Sequence, residues 1–176
     1  MKKLLFITIL IVSSCSKPNK WYNLELKDQN LEIKFPEKPT NRFETTMVKG
    51  FELPVNLFIY QDEKKGAQNI VYMFTTTIYP DTIANLFPNK MDSILDFTSV
   101  NYLNSSEMKL ISQKKIKHDK IEGRELKVNY MDGEFIMTYK IYLHKKNMYV
   151  MNTITDPKND LNAEQNKFFD SFKVFE

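Results

Sequence analysis

Cysteine is nearly absent from this sequence, since Cys15 alone stands in 176 residues. No internal disulfide can form, so the fold has to be held by its core. Histidine is almost as scarce, with only His118 and His144. His118 lies in a lysine-rich segment and His144 beside a turn, so both read as solvated side chains and not as catalytic bases. Four glycines leave little backbone for cradling phosphates. No H-E-x-x-H, C-x-x-C, G-x-S-x-G or glycine-rich phosphate loop occurs. Charge of one sign is also lacking: a formal +3 selects no partner, and no basic, aromatic-studded face is evident for nucleic acid. The residues imply no enzyme, no cofactor and no metal site.

Long apolar runs are missing too, except at the N-terminus, where Lys2 and Lys3 precede a run from Leu4 to Val12 that is apolar but for Thr8. As a helix that run reaches about 14 Å, short of the roughly 30 Å of a bilayer core, so it reads as a processing segment. The following Val12-Ser13-Ser14-Cys15 resembles the lipobox of bacterial lipoproteins, in which the leader is cut before a cysteine that is then acylated. Leucine is commoner than Val12 there, and glycine or alanine commoner than Ser14. The alternative, an ordinary secretory leader, leaves the lone thiol of Cys15 without a purpose. The resemblance implies lipidation at Cys15 and anchoring to a membrane, since two or three acyl chains exceed the threshold for stable attachment. Ser16 in place of aspartate resembles the outer-membrane sorting signal and favours the outer over the inner membrane of the cell envelope. The expected organisation is a leader over 1–14, an acylated cysteine with a short tether over 15–20, and a single domain over 21–176. That domain is long enough to bury close to ~70% of its unfolded surface.

From Tyr22 the chain alternates apolar and polar residues in the period of a half-buried strand. A loop from Lys27 to Asn30 sets Leu26 opposite Leu31, Leu24 opposite Ile33 and Tyr22 opposite Phe35. Further strands are expected over 43–49, 55–60 and 70–79, with a charged loop over 62–69. Pro80 and Pro88 bracket an irregular stretch. Asn89 and Asp92 give a cap-like start to a helix running to about Asn104, with Met91, Ile94, Leu95, Thr98 and Tyr102 on one side. Phe97 and Val100 fall off that stripe and are expected to be covered by a loop. Strand pattern resumes over 108–117 and 122–131, and Asp132-Gly133 is the strongest hairpin signal in the chain. A two-residue loop there sets Tyr130 against Phe135, Val128 against Met137, Leu126 against Tyr139 and Glu125 against Lys140. A last strand over 148–155 has no register that the pattern decides. Asn162 with Gln165 then forms a capping box for a helix that buries Phe168, Phe169 and Phe172.

Few side chains suggest chemistry. Asp92 and Asp96 share a helix side, yet a solvated face with Asp92 as a cap explains them better than a metal or acid–base pair. Asp156, Asn159 and Asp160 lack the glycine and distal glutamate of a calcium loop and suit turn and cap duty. The lysines from Lys109 to Lys120 suit a charged strand edge that resists aggregation, with anionic headgroups as the other use. Asp81-Thr82-Ile83 and Asp92-Ser93-Ile94 resemble an O-glycosylation sequon of some bacterial lipoproteins.

Two hairpins and a strand, a helix, four strands and a closing helix imply an α+β fold, an antiparallel sheet packed by helices. The stretches LEIKFPEKP (Leu31 to Pro39), IEGREL (Ile121 to Leu126), NMYV from Asn147 and FFDSF (Phe168 to Phe172) resemble the Mog1/PsbP-like superfamily, including its DcrB-like lipoproteins. The resemblance implies a Mog1/PsbP-like α/β/α sandwich. Its members are mostly accessory proteins, so it also implies a non-catalytic binding module with a protein partner. The alternative is a periplasmic carrier of an apolar, lipid-like ligand beside the membrane, which needs a concave apolar pocket of a few hundred Å³.

Overall fold

Apolar residues two apart along a strand point to one face, and this rule places the first hairpin. Strands β1 (Tyr22–Leu26) and β2 (Leu31–Phe35) pair in the register that the pattern demands, Tyr22 with Phe35 and Leu26 with Leu31. The structure, a computed structural model, describes residues 20–87, 89–103 and 107–175. The leader, Cys15 and the tether up to residue 19 lie outside the described residues, as does Asn104.

The remaining elements follow in chain order: β3 (Thr40–Val48), β4 (Phe51–Gln61), β5 (Asn69–Ile78), α1 (Asp81–Ala84), α2 (Lys90–Tyr102), β6 (Met108–His118), β7 (Ile121–Tyr130), β8 (Phe135–His144), β9 (Asn147–Thr155), α3 (Ala163–Asp170) and β10 (Lys173–Val174). The short β10 joins β2, so β1-β2-β10 is a small sheet. Strands β3 to β9 make a seven-stranded antiparallel sheet in the order β3-β4-β5-β9-β8-β7-β6. The chain lays down one edge as the meander β3–β5, crosses through α1 and α2 to the opposite edge, and winds back until β9 closes against β5. Pro54 sits within β4 where it has no β5 partner, because the β4–β5 ladder starts at Val55.

Both faces of the large sheet are covered, so β9 is buried along almost its whole length. Met148 and Val150 face α2, in a core with Leu95, Leu126, Val128, Ile141 and Leu143. Tyr149 and Met151 face the small sheet and α3, in a second core with Ile33, Phe35, Phe74, Phe168 and Phe172. Three layers result: helices α1 and α2, the large sheet, and α3 with the small sheet. This is the α+β sandwich expected from the sequence, with a sheet added to the third layer.

The Asp132-Gly133 hairpin keeps its expected register, including Glu125 with Lys140. Its loop is longer than two residues, however. The ladder closes at Tyr130 and Phe135, and Met131, Asp132 and Gly133 all have positive φ. Met131 leaves the ladder because its N–H donates to the Glu107 carbonyl at 3.2 Å. At α3, the Asn162 carboxamide oxygen accepts from the Gln165 N–H at 2.8 Å, as a cap should. The return bond differs from a standard box, since Gln165 Oε1 accepts from the N–H of Leu161, one residue before the cap.

Candidate functional site

Helix α2 positions two polar arrangements, a buried ion cluster and a cleft. Ile94, Leu95 and Thr98 are buried against the sheet as expected, and Tyr102 is half-buried. Met91, the second residue of the helix, shares that stripe by periodicity but is 41% exposed. Phe97 is covered by the segment after α1: its ring meets Phe87 edge-on at 5.4 Å, and the Lys49 ammonium sits over both rings. Val100 is not covered and is 64% exposed.

The expected cap at the start of α2 is absent. Asn89 occupies the cap position at φ 48, left-handed backbone from which its side chain makes no capping bond. Asp92 is drawn elsewhere, to a guanidinium. Arg124 of β7, only 2% exposed, reaches up under the helix and donates from Nη2 to Asp92 at 2.7 Å and from Nε to Asp96 at 2.8 Å. Its Nη1 donates to the Gly123 carbonyl at 3.1 Å, and Lys115 adds a longer contact to Asp92 at 3.4 Å. The two carboxylates four apart therefore clamp a buried cation. This is a structural lock between helix and sheet, because both acids already hold charge-assisted bonds to the same buried guanidinium. Sequence reasoning missed Arg124. The available signal was that arginine occurs only twice, at Arg42 and Arg124, in a chain whose other cations are lysines.

Hydrogen bonding from Arg124, then from Lys115, holds the Asp92 carboxyl below the usual carboxylate range. A carboxyl lowered in the fold contributes stability that is present above its unfolded pKa and is lost as pH falls through the folded value. Asp92→Asn should therefore lower stability at neutral pH and converge with the parent at acidic pH, as read from urea midpoints between about pH 7 and pH 2.

On its other flank α2 overhangs a cleft of about 180 Å³. Thr46, Val55, Thr75, Thr77 and Val150 line it from the sheet, and Thr98, Asn101 and Tyr102 from the helix. Tyr79 also lines it, with its hydroxyl 3.5 Å from that of Thr98. Among the described residues, no carboxylate, amine, thiol or imidazole lines the cleft. Burial raises both Tyr79 and Tyr102, so their phenols stay neutral at physiological pH. The cleft can offer hydroxyl and amide hydrogen bonds and apolar walls, and nothing that exchanges a proton readily.

Burial raises tyrosines throughout the two cores: Tyr149 is pushed up to about 12, and Tyr72, Tyr139 and Tyr142 are raised as well. An unfolded tyrosine ionises near pH ~10. Stability from these groups is complete below that pH and falls as pH rises through the folded values. Unfolding and tyrosinate absorbance should consequently appear together above about pH 10 in one alkaline titration, with no earlier absorbance step from the buried rings.

The other singled-out residues have structural duties. His118 is not free in solvent: its ring lies 5.3 Å from Phe172 and 5.8 Å from Tyr142, half-buried beside the second core. His144 is half-buried at the end of β8, paired with Asn147. Asp156 accepts from the Lys158 N–H at 2.8 Å, Asp160 pairs with Lys127 at 2.7 Å, and the Asn159 carbonyl accepts from Asn162. Of the lysines from Lys109 to Lys120, Lys109, Lys114, Lys115 and Lys117 lie on the edge strand β6 and Lys120 in the turn after it; Lys114 pairs with Glu125 at 2.8 Å and Lys117 with Glu122 at 2.7 Å.

Among solved structures, the solution structure of cyanobacterial PsbP (CyanoP) from Synechocystis sp. PCC 6803 matches this chain with a TM-score of 0.50. The match covers 93% of this chain and 99% of that one. The fold is PsbP-like. Sequence identity across the match is 10%, so the likeness concerns the path of the backbone. No protein-family model and no curated protein matches the sequence. The resemblance drawn from the short sequence stretches thus holds for the PsbP-like fold.

Proposed function

We propose that this is a lipid-anchored protein of the bacterial cell envelope that works by binding another protein and performs no chemistry itself. The observation that carries the binding role is the lining of the α2 cleft, where, among the described residues, hydroxyls, an amide and apolar walls meet without a group that ionises near neutral pH. The PsbP-like fold agrees with this reading, because the superfamily that the short sequence stretches resemble implies an accessory module. Anchoring rests on the leader and Cys15, and the outer membrane on Ser16. In this reading the anchor carries the single domain expected over 21–176.

A photo-reactive amino acid at Asn101, exposed at the rim of the cleft, tests the binding role in intact cells. A reproducible cross-linked protein that disappears with Thr77→Arg supports it. Cross-linking no different from that of a probe on the far side of the protein counts against it. Labelled palmitate tests the anchor, since the parent should incorporate it and Cys15→Ser should not.

A carrier of an apolar ligand has less support. The cleft is smaller than the roughly 300 Å³ at which ligand pockets begin, and four threonines line it. A small ligand that persists in native mass spectrometry would reverse that preference.

A further inference from the structure

The two edges of the seven-stranded sheet are built differently. The β6 edge carries paired lysines and a register shift between Leu110 and Ser112, both devices that discourage another strand from adding. The β3 edge has neither. It runs in unbroken register with β4 from Thr40 to Val48, contains no lysine or proline, and is exposed at every residue but the last. Phe43 is 80% exposed and Met47 59%. Such an edge offers a row of free N–H and C=O groups to a further strand.

The side chains of β3 specify which strand. Read outward from Phe43, the strand is complementary to itself: Arg42 mirrors Glu44, Asn41 mirrors Thr45, and Thr40 mirrors Thr46. Arg42 and Glu44 are two apart and share the α2 face of the sheet, and Phe43 points to the other face. We infer that β3 pairs antiparallel with β3 of a second copy of this chain about a two-fold axis at Phe43. Arg42 then lies directly opposite Glu44 of the second copy, and Glu44 opposite its Arg42. The four charges alternate in sign on one face, and the two Phe43 rings meet on the other. A two-fold contact uses each of these pairs twice, which is the usual form of a homodimer interface.

Other registers satisfy fewer groups. An axis at Arg42 or Glu44 brings like charges face to face. One at Thr45 sets Phe43 against Met47 but leaves both charges unpaired. The choice of residue agrees with the first register: in this lysine-rich chain the only arginine besides the buried Arg124 stands on this bare edge, where a planar guanidinium can grip a carboxylate with two bonds.

Sedimentation velocity of the purified protein over a concentration series tests the pairing. The parent should dimerise. Arg42→Glu and Glu44→Arg, each alone, should weaken the dimer roughly tenfold or more by facing like charges, with unchanged circular dichroism because both positions are exposed. An equimolar mixture of the two single variants should restore the dimer as a mixed species, and the double swap should restore it as a homodimer. A parent that stays monomeric at every concentration overturns the inference. So do single variants that dimerise as well as the parent, or a mixture that fails to recover.

Discussion

Phe172→Ala is expected to destabilise the protein by about 3–5 kcal/mol, the range for truncating a fully buried aromatic ring. In a domain of this size the melting temperature should fall by roughly 10 °C. Phe172 has no exposed surface and lies just beyond α3, where the chain turns into β10. Its ring stacks on Tyr142 at 5.5 Å and 10°, and lies 5.3 Å from Tyr149, 6.1 Å from Phe74 and 5.3 Å from His118. These four partners come from β5, β6, β8 and β9, so one side chain ties the third layer to four strands of the large sheet. Its loss leaves a cavity walled by rings that cannot turn far to fill it. Thermal unfolding followed by circular dichroism reads the effect directly. A loss within the ~0.5 kcal/mol of a surface substitution would show that the third layer is not held this way.

Gly123→Ala should cost about 2–3 kcal/mol, a large effect for one added methyl group. Gly123 of β7 pairs with Tyr142 of β8 and needs no unusual backbone angle. What it supplies is space. A β-carbon there would collide with the carbonyl oxygen of Ile141 and stand 2.5 Å from the Tyr142 ring. The oxygen belongs to the neighbouring strand and cannot swing aside as the end of a flexible side chain would. The ring is held in turn by its stacking on Phe172. Combining Gly123→Ala with Phe172→Ala should therefore cost less than the two losses added together, because both act through the position of Tyr142. Strict additivity in urea unfolding would show that the glycine is required for some reason other than this ring.

Both hairpin registers followed from local pattern, and for the same reason. When two strands are joined by a few residues, the loop and the period of two leave one alignment that puts Leu24 with Ile33, or Val128 with Met137, on the core side. The cap of α3 was legible for a similar reason, since Asn162 and Gln165 are three residues apart and act on the same turn. The cap of α2 was not legible. Asn89 and Asp92 have the right spacing, but a guanidinium 32 residues away along the chain takes Asp92 instead. The periodicity that puts Met91 on the buried stripe describes the helix and not what packs over each of its turns. The α2 cleft is in the same position, because its lining comes from five separate stretches of chain and no one of them carries a signature of a concave surface.

The amino-acid sequence alone determined which residues alternate, where hairpins close, which helix face is apolar, and that the chain resembles a PsbP-like fold. These are consequences of spacing within a few residues, which the backbone geometry of strands and helices converts directly into a face. The tertiary structure alone decided that β9 enters between β5 and β8, that Arg124 is buried under two carboxylates, and that β3 is left as an open edge. Each of those depends on which distant segments meet when both faces of one sheet are covered at once. That outcome minimises exposed apolar surface over the whole chain, and no local stretch of residues encodes it by itself.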